Sequence, residues 1–410
     1  MDLAIMGYGV VGSGVARLLE KNYDRIVANS TQPSLRLRYI LDLRTFPGDP
    51  NEALVTKDFR RIAEDPEVGI VVETMGGLHP AYEFVLQCLE AGKSVVSSNK
   101  ELVAEKGCDL LRAAEKHNVN FLFEASVGGG IPIIRPMSQC LAANEITEVA
   151  GILNGTTNFI LTKMIGDGMR FADALRLAQE NGYAEKDPTA DIEGHDACRK
   201  ICILAALAFG RHVYPAQVRT EGITRLTPED AAYADTAGYA IKLLGRAARL
   251  PDGRISARVA PGLVPKGSML AGVNDVFNAI LVRGDATGDV MFYGRGAGQW
   301  PTASAVVADV IDCAKHMEKK KLLGWEPGDE RYVAPPEEDP ARYYVRFAGV
   351  TQAHRLALLQ AFPGAETLRR EGAGPDELAL LLRTETEDEV RRRIAETGAG
   401  LEALIGVYQA

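Results

Sequence analysis

Between Gly182 and Leu204 the chain reads Gly-Tyr-Ala-Glu-Lys-Asp-Pro-Thr-Ala-Asp-Ile-Glu-Gly-His-Asp-Ala-Cys-Arg-Lys-Ile-Cys-Ile-Leu. Glu185, Asp191 and Asp196 bring three carboxylates to this stretch and Lys200 brings an amine. Its first half is too acidic, and too broken by Gly and Pro, to be core. Its second half runs into an apolar helix, Ile201 to Phe209. Asp187 before Pro188 suits the start of that helix, a capping carboxylate followed by a residue whose missing N–H costs nothing there. Once the helix runs, Asp196 and Lys200 stand four residues apart on one face, with the carboxylate N-terminal to the ammonium. Such a cluster at the mouth of a buried helix can orient a small zwitterion and exchange a proton with it. The same spacing also describes a solvated surface pair contributing about a few tenths of a kcal/mol. The elements around it must decide.

The chain opens with a short apolar strand, Leu3 to Met6, followed by Gly7-Tyr8-Gly9-Val10-Val11-Gly12 and a helix with apolar Val11, Val15, Leu18 and Leu19. Strand, G-x-G-x-x-G and helix in that order are the dinucleotide fingerprint in its required context. Gly7 turns the chain, Gly9 lets backbone approach a pyrophosphate, and Gly12 lets helix pack on strand. Val10 and Val11 lie at the helix N-terminus that faces the phosphates. Asp42 ends the next strand, where an acidic residue accepts from the ribose hydroxyls of NAD. The Ala28 to Ser34 loop is expected to take up the extra residues before it. Arg44 would instead meet a 2′-phosphate, so NAD and NADP both stay open, with a lean to NAD. Further strands end at Thr74 to Gly77 and at Ser97-Ser98-Asn99-Lys100, on the edge where doubly wound sheets bind ligands. There Lys100 could polarise a carbonyl or pass a proton.

In the middle of the chain, Phe121 to Glu124 leads into Ala125-Ser126-Val127-Gly128-Gly129-Gly130-Ile131-Pro132. Three glycines in a row demand unusual backbone angles or close approach to something, a hinge included. A carboxylate beside loop carbonyls could also hold a monovalent cation, Na+ or K+, since hard ions take oxygen ligands. Gly155, Thr156 and Thr157 open a helix after a strand, a ready place for a substrate carboxylate. Gly294-Arg295-Gly296-Ala297-Gly298 precedes another helix, which could return to the first domain and close its turn over the cofactor.

The 410 residues are 46% hydrophobic and 25% charged with a formal net charge of −9, which suits a soluble protein of two or three domains. That charge, without a basic run to offset it, argues against nucleic-acid or anionic-membrane partners. The six cysteines are scattered without metal-ligand spacing, as in a reduced, cytoplasmic enzyme. The N-terminus enters a strand with no leader-like segment.

Taken together, the motifs Gly7 to Gly12, Ser98-Asn99-Lys100, Glu124 to Pro132, Leu153 to Asn158, Glu185 to Lys200 and Gly296 to Ser304 resemble those of the homoserine dehydrogenases over nearly the whole chain. The resemblance implies an NAD(P)-dependent interconversion of L-homoserine and L-aspartate 4-semialdehyde, on the way to threonine, methionine and isoleucine. By position it makes Lys200 and Lys100 the acid/base pair, without saying which donates, and has Asp191 and Asp196 order them. Glu185 would hold the substrate ammonium, with Gly155 and Thr156 beside it. The cofactor would touch Gly7, Gly9, Val10, Val11, Gly12, Asp42, Arg44, Thr74, Ser98, Lys100 and Gly298. The family's cation site would match Glu124 and, through carbonyls, Val127, Gly129 and Ile131. A homodimer or homotetramer is implied as well.

The expected architecture is α/β: a Rossmann doubly wound parallel sheet over 1–130 with helix 301–320 packed back on it, an α+β substrate and dimerisation domain over 131–300, and a βαββαβ domain over 340–410. The polar run Pro335 to Pro340 would link the last two. The final segment resembles an ACT regulatory domain, but Thr351-Gln352-Ala353-His354 replaces the Asp-x-Pro-Gly type turn by which such domains approach an amino acid, which leaves feedback inhibition by threonine weakly founded. Another amino-acid-linked NAD(P) oxidoreductase is a second enzyme reading, and two further readings are disfavoured. An acylating semialdehyde dehydrogenase lacks a cysteine in a nucleophile's place. A non-catalytic nucleotide- and amino-acid-sensing protein would leave the Glu185 to Lys200 cluster without a purpose.

Overall fold

The computed structural model describes residues 1–321, 323–335 and 338–409. The chain forms two compact units, Met1–Glu145 with Cys202–Pro215 and Gly294–Gly328, and Ile146–Ile201 with Ala216–Tyr293 and Asp329–Ala410. The division falls at other residues than 130 and 300, and the last seventy residues cluster with the second unit instead of standing alone.

Among the described residues, the first unit holds a six-stranded parallel sheet: β1 Asp2–Met6, β2 Arg36–Leu41, β3 Val55–Thr56, β4 Val68–Glu73, β5 Ser94–Ser97 and β6 Phe121–Leu122. Its order, β3-β2-β1-β4-β5-β6, reverses between β1 and β4, the switch point of a doubly wound sheet. Leu3, Ala4, Ile5 and Met6 are all fully buried, the continuous apolar run that a parallel strand covered on both faces requires. The helices Val10–Lys21 and Gln299–Lys315 share a core with β1 through Val15, Leu19, Val306 and Val310. The loop expected over Ala28 to Ser34 is shorter than that: its first three residues end a second helix, Tyr23–Ser30, whose buried Ile26 joins that core, and Thr31 to Ser34 make the turn.

Among the described residues, the second unit is built on a ten-stranded sheet. Its first strands are β7 Ile146–Ile152, β8 Arg219–Thr220, β9 Tyr239–Arg249, β10 Ile255–Pro265, β11 Phe277–Gly284 and β12 Gly288–Arg295. They are followed by β13 Tyr343–Phe347, β14 Glu366–Leu368, β15 Leu378–Leu381 and β16 Leu401–Val407. The order is β12-β11-β7-β9-β10-β16-β13-β15-β14, with β8 added to β10. The expected βαββαβ succession is present, with helices Gln352–Ala361 and Glu387–Thr397. Its sheet is continuous with the rest, because β16 pairs in parallel with β10 at Gly262 and Leu263. Of the run Pro335 to Pro340, Pro336 and Glu337 lie outside the described residues. Asp339 within it accepts from Arg246 Nη1 (3.0 Å) and Ser256 Oγ (2.8 Å).

Candidate active site

In the second unit, β7 ends just before Asn154, the N-cap of helix Gly155–Gly166. Asn154 Oδ1 accepts from the Thr157 N–H at 2.8 Å, satisfying one of the helix's open donors. That bond fixes the amide's orientation and turns its Nδ2 outward. Nδ2 donates to Asp191 Oδ1 (2.7 Å) and to Asp196 Oδ2 (2.9 Å). Lys200 Nζ lies 2.8 Å from Asp196 Oδ2 and donates to the Leu153 carbonyl at 2.7 Å. Lys200 and Asp196 are only 6% and 4% exposed, so the solvated-pair reading of their spacing fails. A buried ion pair is kept only when hydrogen bonds complete it, and here Asn154 and Leu153 do so.

The approach to the cluster differs from the single helix expected after Asp187. A short helix, Thr189–Ile192, is closed by Glu193, and Gly194, with a φ of +83°, breaks the chain before helix His195–Phe209 begins. Asp187 tightens the turn by accepting from the Thr189 N–H at 3.1 Å, and the N-cap position falls to Pro188. Asp191 and Asp196 therefore sit on two helices joined by Glu193 and Gly194, and Asn154 gathers both. Thr156 Oγ1 donates to the Tyr183 carbonyl at 2.6 Å and fastens the preceding loop. Glu185 in that loop is exposed and outside the Asn154–Asp191–Asp196–Lys200 group; its carbonyl accepts from Gln179 Nε2 at 3.1 Å.

In the first unit, Gly7 has φ +93°, and a Cβ on Gly12 would collide with the Gly7 carbonyl oxygen. Thr74 Oγ1 donates to that same carbonyl at 2.7 Å. The helix starts at Val10, with Gly9 as an N-cap that offers no side chain and leaves its first N–H groups for an anion. Val10 is 67% exposed there. Gly298, at φ +120°, delivers Gln299, whose Nε2 donates to Val10 O (3.1 Å) and Ser13 Oγ (3.2 Å). Asp42 accepts from the Tyr8 N–H at 2.8 Å and forms an ion pair with Arg44 at the same distance. The hydrogen bond from Arg44 outweighs desolvation and holds Asp42 down at about 2.

Glu73, the last residue of β4, was not singled out by the sequence. It is fully buried, and burial pushes its carboxyl above the usual range. It accepts from Ser97 Oγ (2.6 Å) and from the Met75 N–H (2.8 Å), while its carbonyl accepts from the Ser98 N–H (3.1 Å). Asn99 donates to the Gly77 carbonyl at 2.6 Å and caps helix Lys100–Lys116 by accepting from the Leu102 N–H at 3.1 Å. One carboxylate thus ties the turn after Thr74 to the strand end that presents Ser98 and Lys100.

Of the residues expected to hold a cation, Glu124 has a carboxylate that is already filled. Glu124 Oε1 accepts from the N–H groups of Ile133 (2.6 Å) and Ile134 (2.8 Å). Its Oε2 accepts from the Arg135 N–H (2.9 Å) and from Arg135 Nε (3.3 Å). Four donors fill the four lone-pair directions of a carboxylate. Arg135 also brings the positive charge, and it bridges to Asp309 at 2.9 Å. The neighbouring glycines serve packing: Gly129, at φ +55°, lies against the Gly296 carbonyl, and a Cβ on Gly130 would stand 2.6 Å from Pro301 Cβ. Gly129, Gly130 and Ile131, the last 3.2 Å from where a Cβ on Gly294 would stand, thus form part of the seat of the second glycine-rich turn.

Two family models match the chain, homoserine dehydrogenase over residues 132–311 and the homoserine dehydrogenase NAD-binding domain over residues 7–124. The homoserine dehydrogenase of Pseudomonas aeruginosa is 38% identical, over 99% of this chain and 96% of its own. The chain belongs to the homoserine dehydrogenase family. It is accordingly an NAD(P)-dependent oxidoreductase. A crystal structure of the homoserine dehydrogenase from Thiobacillus denitrificans superposes with a TM-score of 0.89 at 36% identity, over 100% of this chain and 98% of that one. A hyperthermophilic archaeal homoserine dehydrogenase solved in complex with NADPH gives 0.65 at 26% identity, over 76% of this chain and 97% of that one.

Asn154 and Glu73 are the two residues that reading the sequence missed. The signal for Asn154 was an N-cap asparagine whose second polar atom must go somewhere. Glu73 carried a weaker one, a carboxylate closing an otherwise apolar strand.

Proposed function

We propose that this member of the family interconverts L-homoserine and L-aspartate 4-semialdehyde with Lys200 and Lys100 as its acid/base lysines. The observation that carries the reading is the buried Lys200–Asp196 pair, completed by Asn154 and the Leu153 carbonyl. When bound, a reduced nicotinamide supplies hydride to the aldehyde carbon. The chain's own part is proton transfer: Lys200 Nζ, fixed between Asp196 and the Leu153 carbonyl, exchanges a proton with the substrate oxygen. Asp191 is tied to the same amide and keeps the cluster ordered. Glu185, exposed at the loop, takes the substrate ammonium; Gly155 and Thr156, at a helix N-terminus, take its carboxylate. Glu73 and Asn99 position Lys100. The glycine turn, Thr74, Ser98 and the Gly298 turn hold the nucleotide. Arg44, whose Nη2 is 4.0 Å from where a Cβ on Gly9 would stand, supports a 2′-phosphate and hence NADP. The reading includes a cytoplasmic homodimer or homotetramer, which light scattering tests.

The deciding assay is the decay of nicotinamide absorbance with aspartate semialdehyde. Lys200→Ala should lower turnover by roughly 10²–10⁴-fold, the usual share of general acid–base catalysis, with cofactor affinity unchanged. Removing one partner of a buried pair also costs roughly 3–5 kcal/mol of stability, so the Lys200→Ala/Asp196→Asn double variant controls for folding. Parallel loss of turnover and cofactor binding would make Lys200 a structural lysine. A nucleotide- and amino-acid-sensing protein would show no decay with either cofactor.

A further inference from the structure

Lys242 lies within β9 and is 2% exposed, a place where lysine is seldom found. Its Nζ donates to Val273 O (2.5 Å), Asn274 Oδ1 (3.1 Å) and Asn158 Oδ1 (3.4 Å). Asn158 turns its own Nδ2 to the same segment, donating to the carbonyls of Val273 (3.2 Å), Asp275 (3.0 Å) and Phe277 (3.1 Å). Two side chains thus gather the carbonyls of one turn, residues 273–277. The turn has a cost of its own, since Asp275 sits at φ +54°. It also carries the Val276 oxygen to 2.7 Å from where a Cβ on Gly155 would stand. Gly155 is the first residue of the helix capped by Asn154, which holds Asp191 and Asp196.

We propose that Lys242 is a positioning residue for the reaction: with Asn158 it holds the 273–277 turn against Gly155 and so fixes the helix start from which Asn154 orders Asp191, Asp196 and Lys200. The proposal rests on the reading of that cluster as the site of proton transfer. An ammonium is the one side-chain group that offers three donors from a single rotatable atom, and three acceptors meet it here. Burial lowers the Lys242 amine to about 8, with Asp275 the charged group opposing the shift; Asn158, Asn274 and Val273, which also face it, are neutral. Above that pH the amine keeps two N–H groups for three acceptors, so the hold on the turn loosens.

Lys242→Met in the full-length protein keeps length and apolar bulk while removing the donors. The KM for aspartate semialdehyde should rise by roughly tenfold to a hundredfold, because the helix start that shifts carries Gly155 and Thr156, which take the substrate carboxylate, with NADPH affinity unchanged. The wild type should show KM rising above about pH 8, and the variant should lack that step. Asn158→Leu cuts the other half of the hold, should raise KM in the same way, and serves if Lys242→Met does not fold. A wild-type KM and pH profile in either variant, with or without a lower melting temperature, would overturn the proposal. The two failures separate cleanly. If Lys200→Ala keeps its turnover, the reading of the cluster falls; if Lys200→Ala is inactive while Lys242→Met keeps its KM, only the positioning role falls.

Discussion

Asp42 holds four hydrogen bonds, from the Tyr8 and Arg44 N–H groups and from Arg44 Nε and Nη2, so its acceptor positions are already full. To take ribose hydroxyls it must first release Arg44. A 2′-phosphate, by contrast, meets a guanidinium that is 61% exposed and already oriented by Asp42 and by the Phe46 ring beneath it. Arg44→Ala should therefore weaken NADPH by about tenfold or more, the worth of one or two charge-assisted hydrogen bonds. NADH should hold its affinity or gain, because Asp42 stays ionised at neutral pH even when its carboxyl relaxes upward from about 2 toward 3.8. Titrating both cofactors by fluorescence checks this, and equal losses would show that Arg44 does not read the 2′-phosphate. Residue types and spacing alone brought out Asp42 and Arg44 but left the choice open, because the pairing between them depends on where the chain turns after β2. Lys200 with Asp196 was legible for the opposite reason, since helical spacing alone places them together. Asn154 and Glu73 were not legible as site residues because their partners lie 37 and 24 residues away, at strand and helix ends that only the folded sheets bring near.

At the scale of elements, the sequence spoke most clearly where a local rule and a packing need coincide. The first strand, glycine turn and helix were readable because buried β1, the positive φ of Gly7 and the missing side chain of Gly12 each leave a mark in the residue type. The break at Gly194 was not, since a single glycine inside a helical pattern is often tolerated and only the +83° φ shows that the helix stops. The Tyr23–Ser30 helix was missed because it follows its predecessor after one residue, Asn22, with no proline or glycine between them. Gly12→Ala tests the reading of the glycine turn. The added Cβ meets the Gly7 carbonyl, a backbone atom already fixed by Thr74, so the helix Val10–Lys21 must move outward. Cofactor affinity should fall by at least about tenfold, as the first N–H groups leave the phosphates. An alanine variant with unchanged KM for the nucleotide would show that the helix start is not where the pyrophosphate sits.

At the scale of the whole molecule, the C-terminal segment was expected as a domain behind a polar linker, and it shares its sheet with the rest of the second unit. Its order of strands, β16-β13-β15-β14, is self-contained, and Tyr343, Val345, Phe347, Leu380 and Ile394 give it a core. Yet β16 continues the sheet through β10, Tyr408 donates to Glu148 at 2.9 Å, and Arg346 pairs with Asp230 at 2.7 Å. Asp230 is fully buried and also serves the capping box with Thr227, and among the described residues Arg346 is its salt-bridge partner. Arg346→Met should then cost roughly 3–5 kcal/mol, because it strands the carboxylate, whereas Arg346→Met/Asp230→Asn should recover most of that loss by removing both charges. Denaturant titration of the single and double variants measures the difference. The same reasoning predicts that a chain ending at Val333 is less stable than the full chain, since it bares the β10 edge at Gly262 and Leu263 and takes the Tyr408 hydroxyl from Glu148. If such a truncation melted where the full chain does and retained its turnover, the joint would be a contact without energetic weight, and the regulatory-domain reading of a separable module would regain its ground.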